Sequence, residues 1–265
     1  MLDFPLKFVR KIVRQFGFDL IRHHARNSMT GALFQLVQQG FVPGTIIDVG
    51  TGTGTEELYC VFPDASYILV EPLVEFEPDL KRLCSRLRGE YIIAAASDRP
   101  GCVEINVHED LFGSSLFREA EGTAVDGQRR EVGLITLDGV AVNRQLTPPL
   151  LIKVDVQGAE LKVLDGASET LERTEVVILE TLFFETLIGC PTIADVITYM
   201  KNRGFVPYDV FGALYRPLDD ALSQVDLLFV RENGSLRKQH GYASAEQRRR
   251  QTRNLKRSLG APSNT

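Results

Sequence analysis

A chain of 265 residues is long enough to bury one large core. Its 44% hydrophobic and 25% charged residues are those of an ordinary globular protein, which excludes disordered, collagenous and membrane-embedded classes. The net charge of −5 is uneven: residues 1–30 carry six Lys/Arg against two Asp/Glu, residues 231–265 nine against two, and the stretch between them 15 against 31. An acidic middle argues against nucleic acid as a partner, because phosphate binding needs a positive surface.

In chain order, Phe4, Phe8, Ile12 and Phe16 recur every four residues beside Val9 and Val13, which predicts an amphipathic helix over Phe4–Phe16. A second helical pattern, Thr30–Gln39, stops at Gly40. Pro43 and Gly44 then turn the chain into a β-branched run. Strands are predicted at Thr45–Val49, Tyr67–Val70, Tyr91–Ala94, Val103–Val107, Leu150–Val154, Val176–Glu180 and Leu227–Val230. Helices fit Glu56–Val61, Glu75–Arg88, Glu160–Asp165 and Thr192–Arg203. This alternation predicts an α/β, Rossmann-like fold, with a mostly parallel seven-stranded sheet and helices on both faces.

The polar, weakly periodic stretch Asp110–Arg130 reads as a long loop, of a size that is usually functional or disordered. Beyond Glu232 the Gln-, Arg- and Ser-rich chain lacks core-forming residues and reads as a mobile tail or a surface helix. The expected organisation is a helical extension over 1–40, one catalytic domain over 41–232 and a basic tail over 233–265. The basic ends allow weak contact with an anionic membrane surface, solvated tails being the plainer reading. The longest apolar runs have strand length, far below the roughly 20 residues of a bilayer span, so no transmembrane segment is expected. Lys7, Arg10, Lys11 and Arg14 break up any secretory h-region, and Cys60, Cys84, Cys102 and Cys190 form no C-x-x-C pair. A cytoplasmic protein with reduced thiols follows.

Chemistry concentrates after the first strand, in Asp48-Val49-Gly50-Thr51-Gly52-Thr53-Gly54-Thr55-Glu56. Glycines between a strand and a helix let the backbone turn sharply and approach a ligand. Glu71 ends the next apolar run, 21 residues after Gly50, where a nucleoside ribose finds an acceptor for its hydroxyls. A nicotinamide dinucleotide needs G-x-G-x-x-G, but here the third glycine comes one residue early at Gly54 and position 55 is Thr. Glu56 and Glu57 at the helix start would also repel a diphosphate. An acidic surround suits S-adenosylmethionine, which carries a sulfonium and an ammonium. No Gly-Lys-Ser/Thr follows the loop, so it is not a P-loop.

These residues resemble the FkbM-type methyltransferases. The resemblance rests on DVGTGTGTE, VEP at 70–72, AAASD at 94–98 with Gly101, SSL at 114–116, TLD at 136–138, IKVDVQGAELKVLDGA at 152–167 and VVILE at 176–180. One departure is Thr-Gly at 51–52. The resemblance implies S-adenosylmethionine as cofactor, with Asp48, Gly50, Thr51, Gly52 and Gly54 on its methionine side. Glu71 and Pro72 then lie at the ribose, Ala96 and Ser97 beside the adenine, and Asp155 faces the ammonium or the acceptor. It also implies O-methylation of a hydroxyl on a sugar, glycan or secondary metabolite, a small-molecule or glycan acceptor.

Such a transfer needs alignment, exclusion of water and removal of the hydroxyl proton. Candidate bases are Asp155, Glu160, Glu180 and His108. Lys153 and Asp155, two apart on a strand, emerge on one face and form either an acceptor-orienting pair or a structural ion pair. Glu160 reads equally as a capping carboxylate at a helix start. His108 can serve near neutral pH, whereas His23 and His24 read as surface residues. No ligand spacing calls for a metal. Two other readings remain: a nicotinamide-dependent oxidoreductase, or a non-catalytic binding domain that keeps the fold.

Overall fold

The computed structural model describes residues 26–259 together with Val9, Ile12, Val13 and Gln15, so most of the helix expected over Phe4–Phe16 lies outside the described residues. Among the described residues ten strands follow in order: β1 Thr45–Val49, β2 Ser66–Glu71, β3 Gly89–Ile93, β4 Ala95–Ala96, β5 Gly101–Val107, β6 Gln128–Ile135, β7 Leu150–Val154, β8 Thr174–Leu182, β9 Phe205–Tyr215 and β10 Leu222–Arg231. Seven of them form one sheet in the order β3-β2-β1-β7-β8-β10-β9. The first five run parallel, β10 is antiparallel to β8 and β9 is antiparallel to β10, so β10 is the one strand of this sheet that runs against the other six. The expected mostly parallel seven-stranded α/β sheet is therefore present.

Every residue of β1 and β7 is buried, because helices cover both faces of the sheet. Ile47, Val49, Ile152, Val154, Val177 and Leu179 point into one core, packed with Leu137, Val163, Leu164 and Val196 from the helices Leu137–Val142, Glu160–Asp165 and Ile193–Asn202. Ile46, Tyr67, Leu69, Leu151 and Ile178 point into the other, against Leu33, Leu58 and Leu80 from the helices Met29–Gln38, Glu56–Val61 and Glu77–Arg86. Each such aliphatic side chain contributes about 1.5–3 kcal/mol. The helix Met29–Gln38, expected to belong to the extension, thus supplies core: Leu33 and Leu36 are fully buried. Ser28 caps its start and Gly40, at φ +85°, ends it.

Two assignments differ from expectation. The strand expected at Val103–Val107 forms as β5, but in a separate three-stranded sheet, β4-β6-β5. Its place in the main sheet is taken by β9, whose Pro207, Asp209 and Gly212 interrupt any clean alternation. The loop expected through Arg130 ends at Gln128, where β6 begins and pairs antiparallel with β5. The tail carries the helix Ala245–Ser258, which buries no residue. Among the described residues no helix is long and apolar enough to cross a membrane.

Chain order reverses between β1 and β7, so the loops leaving these neighbouring strands diverge and open a crevice at their carboxyl ends. The small sheet and the chain between β5 and β6 stand over that crevice.

Candidate active site

The crevice is a cavity of about 360 Å³, walled by the exits of β1, β2, β4 and β7 and roofed by residues 111–116. Of the residues singled out from sequence, Gly50, Thr51, Gly52, Gly54, Glu71, Pro72, Ala96, Lys153 and Asp155 line it.

The glycine loop is shaped by what lies against it. Gly50, at φ +72°, donates its N–H to the Val70 carbonyl at 2.9 Å, and an ideal Cβ there would stand 1.7 Å from the Asp155 carbonyl oxygen. Thr51 Oγ1 donates to the Asp48 carbonyl at 2.8 Å, closing the turn. Glu71 then fastens the loop to β2: its Oε2 accepts from Gly52 N at 2.9 Å and its Oε1 from Leu73 N at 3.0 Å. Burial raises the pKa of Glu71, while the Leu73 and Gly52 amides pull it back. Each oxygen retains a lone pair for a ligand hydroxyl.

Asp48 lies beneath this floor, fully buried. Tyr59 donates its hydroxyl to Asp48 Oδ2 at 2.8 Å, and Lys153 Nζ stands 3.5 Å from Oδ1, a charge contact rather than a hydrogen bond. Burial and then the Asp48 charge raise the Tyr59 pKa, so the phenol remains a donor. Lys153 Nζ also lies 3.3 Å from Asp155 Oδ2. Burial works against the lysine charge, but Asp155 and Asp48 outweigh it and raise the pKa. An unpaired buried ammonium would cost several kcal/mol. One lysine between two aspartates leaves an excess of negative charge, which favours a cationic ligand group. The Lys153–Asp155 pair is thus an ion pair that itself faces the cavity.

The remaining candidates stand off the cavity wall. Ser97 is buried behind it, with its N–H on the Ile135 carbonyl at 2.9 Å and its own carbonyl 2.0 Å from where a Cβ of Gly166 would sit. Glu160 Oε1 accepts from Val156 N and Gly158 N, each at 3.1 Å, and so builds the turn after β7. Burial pushes its pKa up to about 7 against those backbone bonds. Glu180 accepts from Gln157 Nε2 at 2.9 Å and from Gln224 Nε2. Its pKa is raised by burial and by the neighbouring Asp155, Glu160 and Asp226 carboxylates. His108 Nε2 lies 3.4 Å from Glu119 Oε1 inside the covering segment.

Several residues that line the cavity or stand beside its acidic wall were not singled out from sequence. Met29 reaches the cavity from the start of the helix Met29–Gln38. Phe112, 60% exposed, lies over the glycine loop: its Cε1 is 3.4 Å from an ideal Cβ on Gly52, and its ring centroid is 5.3 Å from that of Phe76. Gln157 bridges Asp155 and Glu180. Asp226, on β10 in register with Glu180, has its pKa pushed up to about 7, by burial first and then by Asp155. A solitary Met, Phe, Gln or Asp outside a glycine loop has no sequence signal, although Gln157 lies within the quoted motif. Asp138 of the TLD motif is instead structural, accepting from Thr170 N and Oγ1, both at 2.8 Å. Among the described residues no group of three His, Cys, Asp or Glu side chains is arranged to hold a metal ion.

No curated protein sequence matches the chain. Among solved structures it resembles magnesium protoporphyrin IX methyltransferase from Synechocystis PCC 6803, crystallised with bound SAM, at 13% identity and a TM-score of 0.42, over 87% of this chain and 98% of that one. It also resembles an S-adenosylmethionine-dependent methyltransferase from Clostridium acetobutylicum ATCC 824, at 10% identity and a TM-score of 0.44, over 85% and 98%. An rRNA methylase from Streptococcus thermophilus gives 10% identity and a TM-score of 0.44, over 80% and 98%. The methyltransferase FkbM domain matches residues 48–207, more than half of the chain. The chain belongs to the FkbM methyltransferase family.

Proposed function

We propose that this protein transfers the methyl group of S-adenosylmethionine to a hydroxyl of a small molecule or glycan. The observation that carries this reading is the convergence, on one cavity, of a glycine loop that admits no side chain at Gly50, the Glu71 carboxylate and the Asp155–Lys153–Asp48 charge group. The donor set fits the cofactor. Glu71 would receive the ribose hydroxyls beside Pro72, the wall at Ala96 would take the adenine, and the negative end at Asp155 would take the ammonium. When bound, the cofactor supplies an electrophilic methyl group on a sulfonium.

The chain's own residues supply alignment, dryness and proton handling. Gly50, Gly52 and Gly54 let the backbone approach closely. Phe112 and Phe76, in ring contact on the cavity wall, would shield the bound cofactor from water. Asp155, just past the end of β7, is the carboxylate that meets both the cavity and Lys153; where it does not hold the ammonium, it is the group placed to take the hydroxyl proton as the acceptor oxygen is methylated. Lys153 keeps that carboxylate oriented. Glu160, Glu180 and His108 support the surrounding turns and strand ends.

Isothermal titration with S-adenosylmethionine, S-adenosylhomocysteine and NAD tests the cofactor. Micromolar binding of the first two with no NAD heat is expected; tighter binding of NAD would overturn the reading. The acceptor is sought by mass spectrometry of metabolites and glycans from a strain lacking the gene, where loss of about 14 mass units, one CH₂, marks the product.

A further inference from the structure

Gln157 adopts φ +53°, in the left-handed region that glycine enters freely and a side chain enters under strain. Gly158 follows at φ +92°. A glycine at 157 would build the same turn with less strain, so the side chain serves something other than the turn.

What it serves is visible in its contacts. The single amide nitrogen donates to Asp155 Oδ1 at 3.1 Å and to Glu180 Oε2 at 2.9 Å. Both partners are acceptors, which fixes the end of the amide that faces them. On the far side of Asp155, Lys153 Nζ holds Oδ2 at 3.3 Å, and on the far side of Glu180, Gln224 Nε2 holds Oε1. The backbone carbonyl of Gln157 accepts from Ser115 Oγ at 2.6 Å, which ties the same turn to the roof of the cavity.

The surroundings are acidic on every side. Glu160 faces the pair from the helix Glu160–Asp165, Asp226 from β10, Asp48 from β1 behind Lys153, and Glu57 stands near Asp226 from the helix Glu56–Val61. Lys153 is the cation among them. Two carboxylates held this close repel or share a proton unless a donor stands between them. The Gln157 amide is that donor.

We propose that Gln157 is a positioning residue: its amide holds the Asp155 carboxylate toward the cavity and keeps Asp155 and Glu180 as two separate carboxylates. The proposal rests on the reading that Asp155 faces the bound cofactor or acceptor. It assigns the strained side chain a task in the site and leaves the turn to the backbone.

The test uses two variants of the full chain. Gln157→Leu removes both donors at similar length, and Gln157→Gly removes them while relieving the backbone. Carbon-13 titration of side-chain carboxyls, assigned with Asp155→Asn, reads the pair directly and requires no acceptor. In both variants the pair is expected to take up its first proton about one pH unit higher than in wild type, about tenfold in proton affinity. Titration curves of the Gly variant that superimpose on wild type would overturn the proposal, even if the Leu variant does not fold. S-adenosylhomocysteine binding by the wild-type protein, measured alongside, judges the cofactor reading separately: its absence removes that reading, whereas intact binding with unmoved titration removes the role of Gln157.

Discussion

The carbonyl oxygen of Asp155 occupies the space that a side chain on Gly50 would need, 1.7 Å from an ideal Cβ, while Asp155 N donates to the Val49 carbonyl at 3.0 Å. The exits of β1 and β7 are therefore pressed together at the floor of the cavity, and neither backbone can retreat without breaking the pairing of β1 with β7. Gly50→Ala adds a backbone clash to a residue at φ +72°, and is expected to cost about 2–4 kcal/mol of stability and to abolish S-adenosylhomocysteine binding. Urea unfolding and calorimetric titration check both. A variant with wild-type stability would show that the loop is looser than this packing allows.

Glu71 has two duties, as a ligand acceptor and as the acceptor for Gly52 N and Leu73 N. Glu71→Ala is expected to cost about 1.5–3 kcal/mol of cofactor binding and to lower stability by about 1–3 kcal/mol, because two backbone donors lose their partner. Thermal unfolding with and without S-adenosylhomocysteine separates the two losses. Equal cofactor affinity in variant and wild type would take Glu71 out of the site.

Asp155→Asn keeps the shape of the side chain and removes its charge. Lys153 retains Asp48, so the fold is expected to survive. S-adenosylhomocysteine affinity is expected to fall about tenfold, the value of one charge-assisted contact. If affinity holds while single-turnover methylation falls by roughly 10²–10⁴-fold, Asp155 acts on the acceptor proton instead.

Buried carboxyls set the pH dependence of stability. Glu160 and Asp226 both have pKa values near 7 in the fold, against ordinary values of 4.5 and 3.8, chiefly through burial. A group that holds its proton more tightly when folded contributes stability that is fully present below its unfolded pKa and is lost as pH rises through the folded one. Stability is therefore expected to decline between about pH 4.5 and pH 7. Glu160→Gln retains the acceptor for Val156 N and Gly158 N and removes the charge. Its stability at pH 8 is expected to match or exceed wild type by up to a few kcal/mol, with no gain at pH 4. Denaturant unfolding at the two pH values measures this, and a variant less stable at pH 8 than at pH 4 relative to wild type would refute it.

The sequence by itself determined the elements with a strong local period and the motif attached to them. β1 and β7 have the predicted ends, as do the helices Glu56–Val61 and Glu160–Asp165, because buried runs bounded by glycine or proline leave little choice of conformation. The glycine loop and Glu71 were legible for the same reason: a strand, a turn and a helix in immediate succession place a carboxylate at the end of the neighbouring strand with no long-range information. Only tertiary structure decided that β5 leaves the main sheet for a small one and that β9 takes the edge, since strand partners are chosen by pairing between residues far apart in the chain. It also decided that Ser97 and Glu160 turn away from the cavity while Met29, Phe112, Gln157 and Asp226 come to it or stand around it. A side chain's chemistry can be read from its type. Whether it meets a ligand depends on which strand ends and loops are packed beside it, and that depends on the packing of the whole sheet.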